Sequence, residues 1–438
     1  MINCFIPFLS LPQARQTVRA LGLCDRIKNI YLLATEKIPD EVEGCEMLMI
    51  DSPASTATFR TIALHADTAY TLLYTKYTAF EPGQFAFERL LAIAGDTNAG
   101  MLYADRYLLK NGNSQQAPVI DYQKGSLRDD FDFGSLLFFR SSVLKQAVRA
   151  MDADYRFAGL YDLRLRVSEL AELVHVNEYL YSEVETDIRK SGEKLFDYVD
   201  PKNRAVQIEM EAVCTAYLKR VGGYLAPDFE PVTFDAGGFE QEASVIIPVR
   251  NRIRTIEDAI RSVLAQKTTF RFNLIIVDNH STDGTSEAIG KYTADGRVVH
   301  LVPERSDLGI GGCWNVGVHH PACGKFAVQL DSDDVYSGPD TLQKIVDAFY
   351  EQNCAMVVGT YRMTDFKMNE IPPGIIDHRE WTLENGRNNA LRINGLGAPR
   401  AFYTPVLRRI NLPNTSYGED YALGLRISRT WRIGRIYD

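Results

Sequence analysis

The chain has 438 residues, 45% hydrophobic and 24% charged, with a formal net charge of -9; this is globular composition with room for two or three domains, and its acidic balance argues against a general nucleic-acid binder. No uninterrupted apolar segment approaches the roughly 20 residues of a spanning helix, and the opening "MINCFIPFLSLPQARQ" lacks the basic n-region of a signal peptide. Seven cysteines lie scattered without a CxxC pair, which indicates neither a zinc site nor a disulfide framework and makes a reduced, cytoplasmic setting the simplest expectation.

The turn-rich stretch around "VGGYLAPDFEPVTFDAGGFEQ" predicts a linker over residues 223–241, between a first domain at 1–222 and a second at 242–438. Past it, "ASVIIPV" reads as a buried strand. Ile256, Ile260, Val263 and Leu264 then fall at helical spacing, with Thr255 and Asp258 as a capping pair. "FNLIIV" predicts a second strand ending at Asp278, and "FAVQL" a third ending at Asp331. Leu342, Ile345, Val346 and Phe349 share one helix face, and "AMVVG" is the next strand. Buried strands alternating with amphipathic helices predict an α/β domain with a largely parallel sheet, whose ligands sit beyond the carboxyl ends of the strands.

The same pattern occurs twice. "LGLRIS" repeats "LRLRVS", "GAPRAFYTPVL" resembles "GSLLFFRSSVL", "FAVQLDSDDVYSGPDTL" resembles "AYTLLYTKYTAFEPGQF", and "SVIIPV" resembles "NCFIPF". The matches keep their order and nearly their spacing, which predicts two copies of one α/β fold. The alternative is two unrelated α/β domains that share generic strand patterns. Pro339 over Pro82 sets Asp331 and Asp333 against Tyr74 and Lys76. Asp278 falls over Ala34, and Glu419 and Asp420 over Gly159 and Leu160, with Asp162 two residues away. The fold is expected in both halves, the acidic constellation only in the second.

"QLDSDD" closes an apolar run with three carboxylates in four residues. An acidic turn is the plain reading; a hard-cation site that holds phosphates is the sharper one. A cation offsets charge on a departing diphosphate, and a separate carboxylate can take the proton of an attacking hydroxyl.

With "VIIPVRN", "LIIVDNHSTDGT", "DLGIGGCWNVG", "QLDSDD" and "GEDYALGLR" in this order, residues 244–428 resemble the family 2 glycosyltransferases, inverting enzymes of GT-A fold. The resemblance implies two GT-A-like (Rossmann-like) domains in tandem, the first a degenerate copy. It implies that Pro248, Val249, Arg250 and Asn251 line the nucleotide base and that Asp278 contacts base or ribose. Asp331 and Asp333 would be the DxD motif, with Asp331 toward ribose and metal and Asp333 on an Mn²⁺ or Mg²⁺ ion. Gly309 and Asn315 would adjoin the nucleotide-sugar, and Asp420, beside Glu419, would be the general base. Trp314 departs from the Arg that many members carry, and the QxxRW signature of processive members is absent.

Expected partners are a nucleotide-diphosphate sugar and a glycan or lipid-linked acceptor, with no nucleic acid. Gly309, Gly311 and Gly312 either let a ligand approach or form a turn. His280 reads as an exposed loop residue. Arg426, Arg429 and Arg432 would form a basic helix face, solvated by default; peripheral contact with the inner face of a membrane is the alternative. Competing functions are nucleotidyl transfer on a similar fold and an inactive glycan-binding or scaffold protein. Family members usually continue past "RIGRIYD", so the second copy is expected to stop short of a full domain, with Asp438 over Glu178.

Overall fold

The apolar runs of the second half become strands buried on both faces, as a parallel sheet covered by helices requires. The structure, a computed structural model, describes residues 1–37, 41–110, 112–184, 204–235 and 237–437. The chain divides into two units, Met1–Tyr224 and Leu225–Asp438.

The strands of the first unit are β1 (Ile2–Pro7), β2 (Ile27–Ala34), β3 (Glu46–Met49), β4 (Tyr70–Tyr74), β5 (Phe80–Pro82), β6 (Met101–Lys110), β7 (Asn113–Ala117), β8 (Leu136–Arg140) and β9 (Leu173–Val184). They form one sheet in the order β3-β2-β1-β4-β8-β6-β9-β5, with β7 paired to β6. Those of the second are β10 (Ala243–Val249), β11 (Phe272–Asp278), β12 (Val298–Leu301), β13 (Phe326–Gln329), β14 (Met356–Val358), β15 (Tyr361–Thr364), β16 (Glu370–Ile376), β17 (Arg400–Tyr403) and β18 (Ile433–Arg435). Their sheet runs β12-β11-β10-β13-β17-β14-β18, and β15 and β16 make a separate hairpin.

Seven strands of the first sheet repeat the second in order and sense. The β1, β2 and β4 pairings are parallel, as are those of β10, β11 and β13. Strands β8 and β17 run antiparallel between their neighbours, and β9 and β18 return parallel. Both units therefore carry the mostly parallel α/β architecture expected of the repeat.

The ladders correct one register. Asn3 pairs with Thr71, and Ser244 with Ala327. With Asn3 over Ser244, Asp331 lies over Thr75 and Asp333 over Tyr77, one residue from the Tyr74 and Lys76 expected. Pro339 lies in a turn whereas Pro82 ends β5, and the segments that lead to them from the equivalent Ala327 and Thr71 differ by one residue.

Other local expectations differ in detail. β13 ends at Gln329, two residues before Asp331, which leaves the acidic cluster in a turn. The helix Ile256–Leu264 buries Ile256, Ala259, Ile260 and Val263, but Thr255 makes no side-chain capping bond. The stretch read as a linker is packed: Val232 is in the core of the second unit, and Phe234 sits edge-on to Phe326, Phe349 and Tyr403. Residues 185–203 and Asp438, on which the comparison of the two copies' ends depends, lie outside the described residues. Among the described residues, no helix is long and apolar enough to cross a membrane.

Candidate active site

Asp278 is the last residue of β11 and is fully buried. Burial alone would raise its carboxyl, but hydrogen bonds outweigh it and hold the group below the usual carboxylate range. Oδ1 accepts from the Ser281 amide at 3.0 Å, Oδ2 accepts from the Ser286 hydroxyl, and His300 Nε2 on β12 lies 3.5 Å away. Ser286 and His300 are partners that periodicity does not reveal.

The loop after β10 meets the loop after β11. Asn251 adopts a left-handed conformation, φ 55°, in which its Oδ1 accepts from the Thr282 amide at 2.8 Å and its own amide donates to Ser281 Oγ at 3.0 Å. Thr285 Oγ1 accepts from the Arg252 amide, and Asp283 from that of Ile253. The "DNHSTDGT" run thus builds the loop that carries Arg250 and Asn251, both exposed, next to half-buried Pro248 and buried Val249. His280, in this run, is half-buried rather than fully exposed, and its Nε2 lies 3.1 Å from the Arg305 carbonyl.

The acidic turn stands beside that loop, where Arg252 Nε lies 3.5 Å from Asp333 Oδ2. Asp331 Oδ1 accepts from Gln329 Nε2 at 2.9 Å. Loss of water and the charges of Asp331 and Asp333 push the Asp334 carboxyl up to about 6. A cation would relieve this crowding. Among the described residues no three His, Cys, Asp or Glu side chains form a cation cage. Two carboxylates nevertheless suit Mg²⁺ or Mn²⁺, which complete their shells with phosphate oxygens and water. The donor set fits a cation that arrives with a diphosphate.

Asp420 lies in the first turn of the helix Glu419–Ser428, behind Gly418 at φ 76°. Arg400, on β17, reaches its Oδ2 at 2.6 Å. Burial, then the charges of Asp420 and Asp331 against the relief from Arg400, raises the Glu419 carboxyl. Arg400 Nε donates to Gln329 Oε1 at 2.6 Å, and Gln329 in turn donates to Asp331, so the base candidate and the acidic turn are joined through two side chains.

The glycine-rich helix start serves this loop. A Cβ on Gly309 would stand 2.6 Å from the Thr415 carbonyl carbon, and one on Gly311 would stand 2.0 Å from the Pro413 oxygen. The Gly311 amide donates to the Thr415 carbonyl at 3.0 Å. The close approach is by the chain's own 413–415 segment. Asn315 exchanges two hydrogen bonds with the backbone of Leu412, at 2.8 and 2.9 Å. Trp314 is buried edge-on to Phe402. Gly309 and Asn315 therefore shape the loop leading to Asp420, and Trp314 packs on β17. The basic helix face is broken: the helix ends at Ser428, so Arg429 caps it and Arg432 lies beyond.

The first unit fills the corresponding region with its own side chains. Glu183 on β9 is fully buried and takes Lys76, Ser135 Oγ and Arg106 Nε, the last at 2.9 Å. Asp162 is buried against Arg166 at 2.9 Å. Glu209 accepts from the amides of Phe157 and Ala158, just before the helix Gly159–Leu170 that matches the one bearing Asp420.

Residues 244–409 match the model of the family described as Glycosyl transferase family 2. An uncharacterized glycosyltransferase of Rickettsia felis is 30% identical over 200 residues, which are 45% of this chain and 32% of that one. TuaG of Bacillus subtilis, named as a teichuronic acid biosynthesis glycosyltransferase, is 33% identical over 120 residues, 27% of this chain and 46% of that one. The chain thus spans less than half the length of these relatives. Staphylococcus aureus TarS in complex with UDP-GlcNAc overlaps 45% of this chain and 56% of its own, at 22% identity and a TM-score of 0.37. A likeness that loose carries nothing about ligands.

Proposed function

We propose, for a chain whose residues 244–409 make it a carrier of a family 2 glycosyltransferase domain, that the second unit transfers a sugar with inversion from a nucleotide-diphosphate sugar to a glycan or lipid-linked acceptor. The observation that supports this reading is that carboxylates delivered by different elements are linked: Asp331, in the turn after β13 that also carries Asp333, connects through Gln329 and Arg400 to Asp420 at a helix start.

In this reading Pro248 to Asn251 and Asp278 hold the nucleoside. Asp331 and Asp333 hold Mn²⁺ or Mg²⁺, which when bound offsets the charge that gathers on the leaving diphosphate. Asp420 takes the proton of the acceptor hydroxyl as its oxygen bonds to the anomeric carbon and the bond to the diphosphate oxygen breaks. A thermal-shift screen of UDP-, GDP- and dTDP-sugars with each metal, followed by an acceptor screen read by mass spectrometry, tests it. Failure of every nucleotide to stabilise the chain in the presence of metal would overturn the reading.

A further inference from the structure

We propose that Arg400 is a positioning residue, one guanidinium that sets the base Asp420 and the diphosphate-side Asp331 in a single arrangement. The inference rests on the reading of Asp420 as the base. Arg400 is 7% exposed, as is Gln329. Its Nη1 meets Asp420 Oδ2 at 2.6 Å and donates to the Leu396 carbonyl at 2.9 Å, while its Nε donates to Gln329 Oε1 at 2.6 Å. Gln329 in turn donates to Asp331 Oδ1 at 2.9 Å. The carboxylates come from different elements, a turn after β13 and the start of a later helix. A rigid planar fork is the side chain suited to fix both, since each bond it makes constrains the others.

A core staple alone would not need this chemistry. Burying a guanidinium costs desolvation, and an apolar residue of similar volume packs a sheet as well or better. Both functional arms of the fork lead to carboxylates, Asp420 directly and Asp331 through Gln329, and the backbone arm fixes the plane from which they extend.

The full chain is tested with Arg400→Lys, which keeps the charge and loses the fork, and with Gln329→Met, which cuts the arm to Asp331. Hydrogen exchange is followed at Ala422, Leu423 and Gly424, with UDP and Mn²⁺ as the binding probe. Turnover is measured with the donor and acceptor that the screen identifies. In Arg400→Lys these amides should exchange faster while those of β10 stay protected. Its kcat should fall about 10²-fold, the usual consequence of a small misplacement, and its donor KM should rise as the Gln329 arm to Asp331 loosens. Gln329→Met, which spares the Arg400–Asp420 pair, should instead weaken UDP binding in the presence of Mn²⁺ and raise the donor KM while exchange at Ala422, Leu423 and Gly424 stays at the parental rate.

Exchange and turnover equal to the parent in Arg400→Lys would overturn the proposal. Loss of protection across β10 as well would overturn it too, because the role would then be structural. Asp420→Asn is measured in parallel. If it transfers sugar like the parent, the reading of the site fails; if it does not and Arg400→Lys matches the parent, only the role of Arg400 fails. If no transfer is detected for the parent, the exchange result decides.

Discussion

At the scale of single residues, the site contrasts a fixed carboxylate with an exposed one. Asp278 is locked by three polar neighbours, whereas the Asp333 side chain is half-exposed and, among the described residues, shares a 3.5 Å pair with Arg252. Asp333→Ala should therefore leave the fold intact and abolish Mn²⁺-dependent binding of UDP. Calorimetry with and without metal checks this, and undiminished affinity would remove Asp333 from the cation site. Asp420→Asn should lower turnover by about 10²–10⁴, the range of general-base assistance, with UDP binding retained.

His378 offers a pH test away from the acidic cluster. It is 3% exposed, and burial, followed by the charges of Arg435 and Arg400, lowers its pKa to about 3. Because the folded value lies below the unfolded one, the unfolded chain binds the extra proton. Stability from neutral His378 is full above the unfolded value near 6.5 and is lost as pH falls toward the folded value. The drop in Tm between pH 7 and pH 5 should shrink in His378→Gln.

At the scale of elements, the strand ends were legible and their cross-links were not. "FNLIIVD" announces a buried strand that finishes in a carboxylate, and "KFAVQLD" a buried strand whose carboxylate falls in the turn just past it, because unbroken apolar runs have few other places to go in an α/β sheet. Arg400, Gln329, Ser286 and His300 join through tertiary contacts, which leave no period in the sequence. The glycines show the same limit from the other side. Their run signals a close approach but not what approaches, and here it is Pro413 to Thr415. Gly311→Ala should force that segment outward at about 1–3 kcal/mol, the usual cost of overpacking, and should lower both Tm and turnover because the segment leads to Asp420. A variant with parental Tm and turnover would mean that the segment yields freely.

At the scale of the whole molecule, the repeat was legible because corresponding strands kept their order. Its register was misread by one residue because the matching prolines lie past β4 and β13, one ending the short strand β5 and the other in a turn, after segments of unequal length. The correction leaves the first copy no better equipped, since Thr75 and Tyr77 stand where the second has Asp331 and Asp333. Lys76→Ala and Asp162→Asn should leave transfer largely intact, measured as product formation after circular dichroism shows each variant folded. A second activity that disappears with Asp162→Asn would make the protein bifunctional.

The Glu183 cluster has a consequence for stoichiometry. Its carboxylate is already neutralised by Lys76 and Arg106, and Glu209 already occupies the amides ahead of the matching helix. An incoming phosphate would have to displace ligands that the chain supplies at an effective concentration no free nucleotide reaches. Despite its twofold internal repeat, the protein should titrate with one equivalent of UDP per chain.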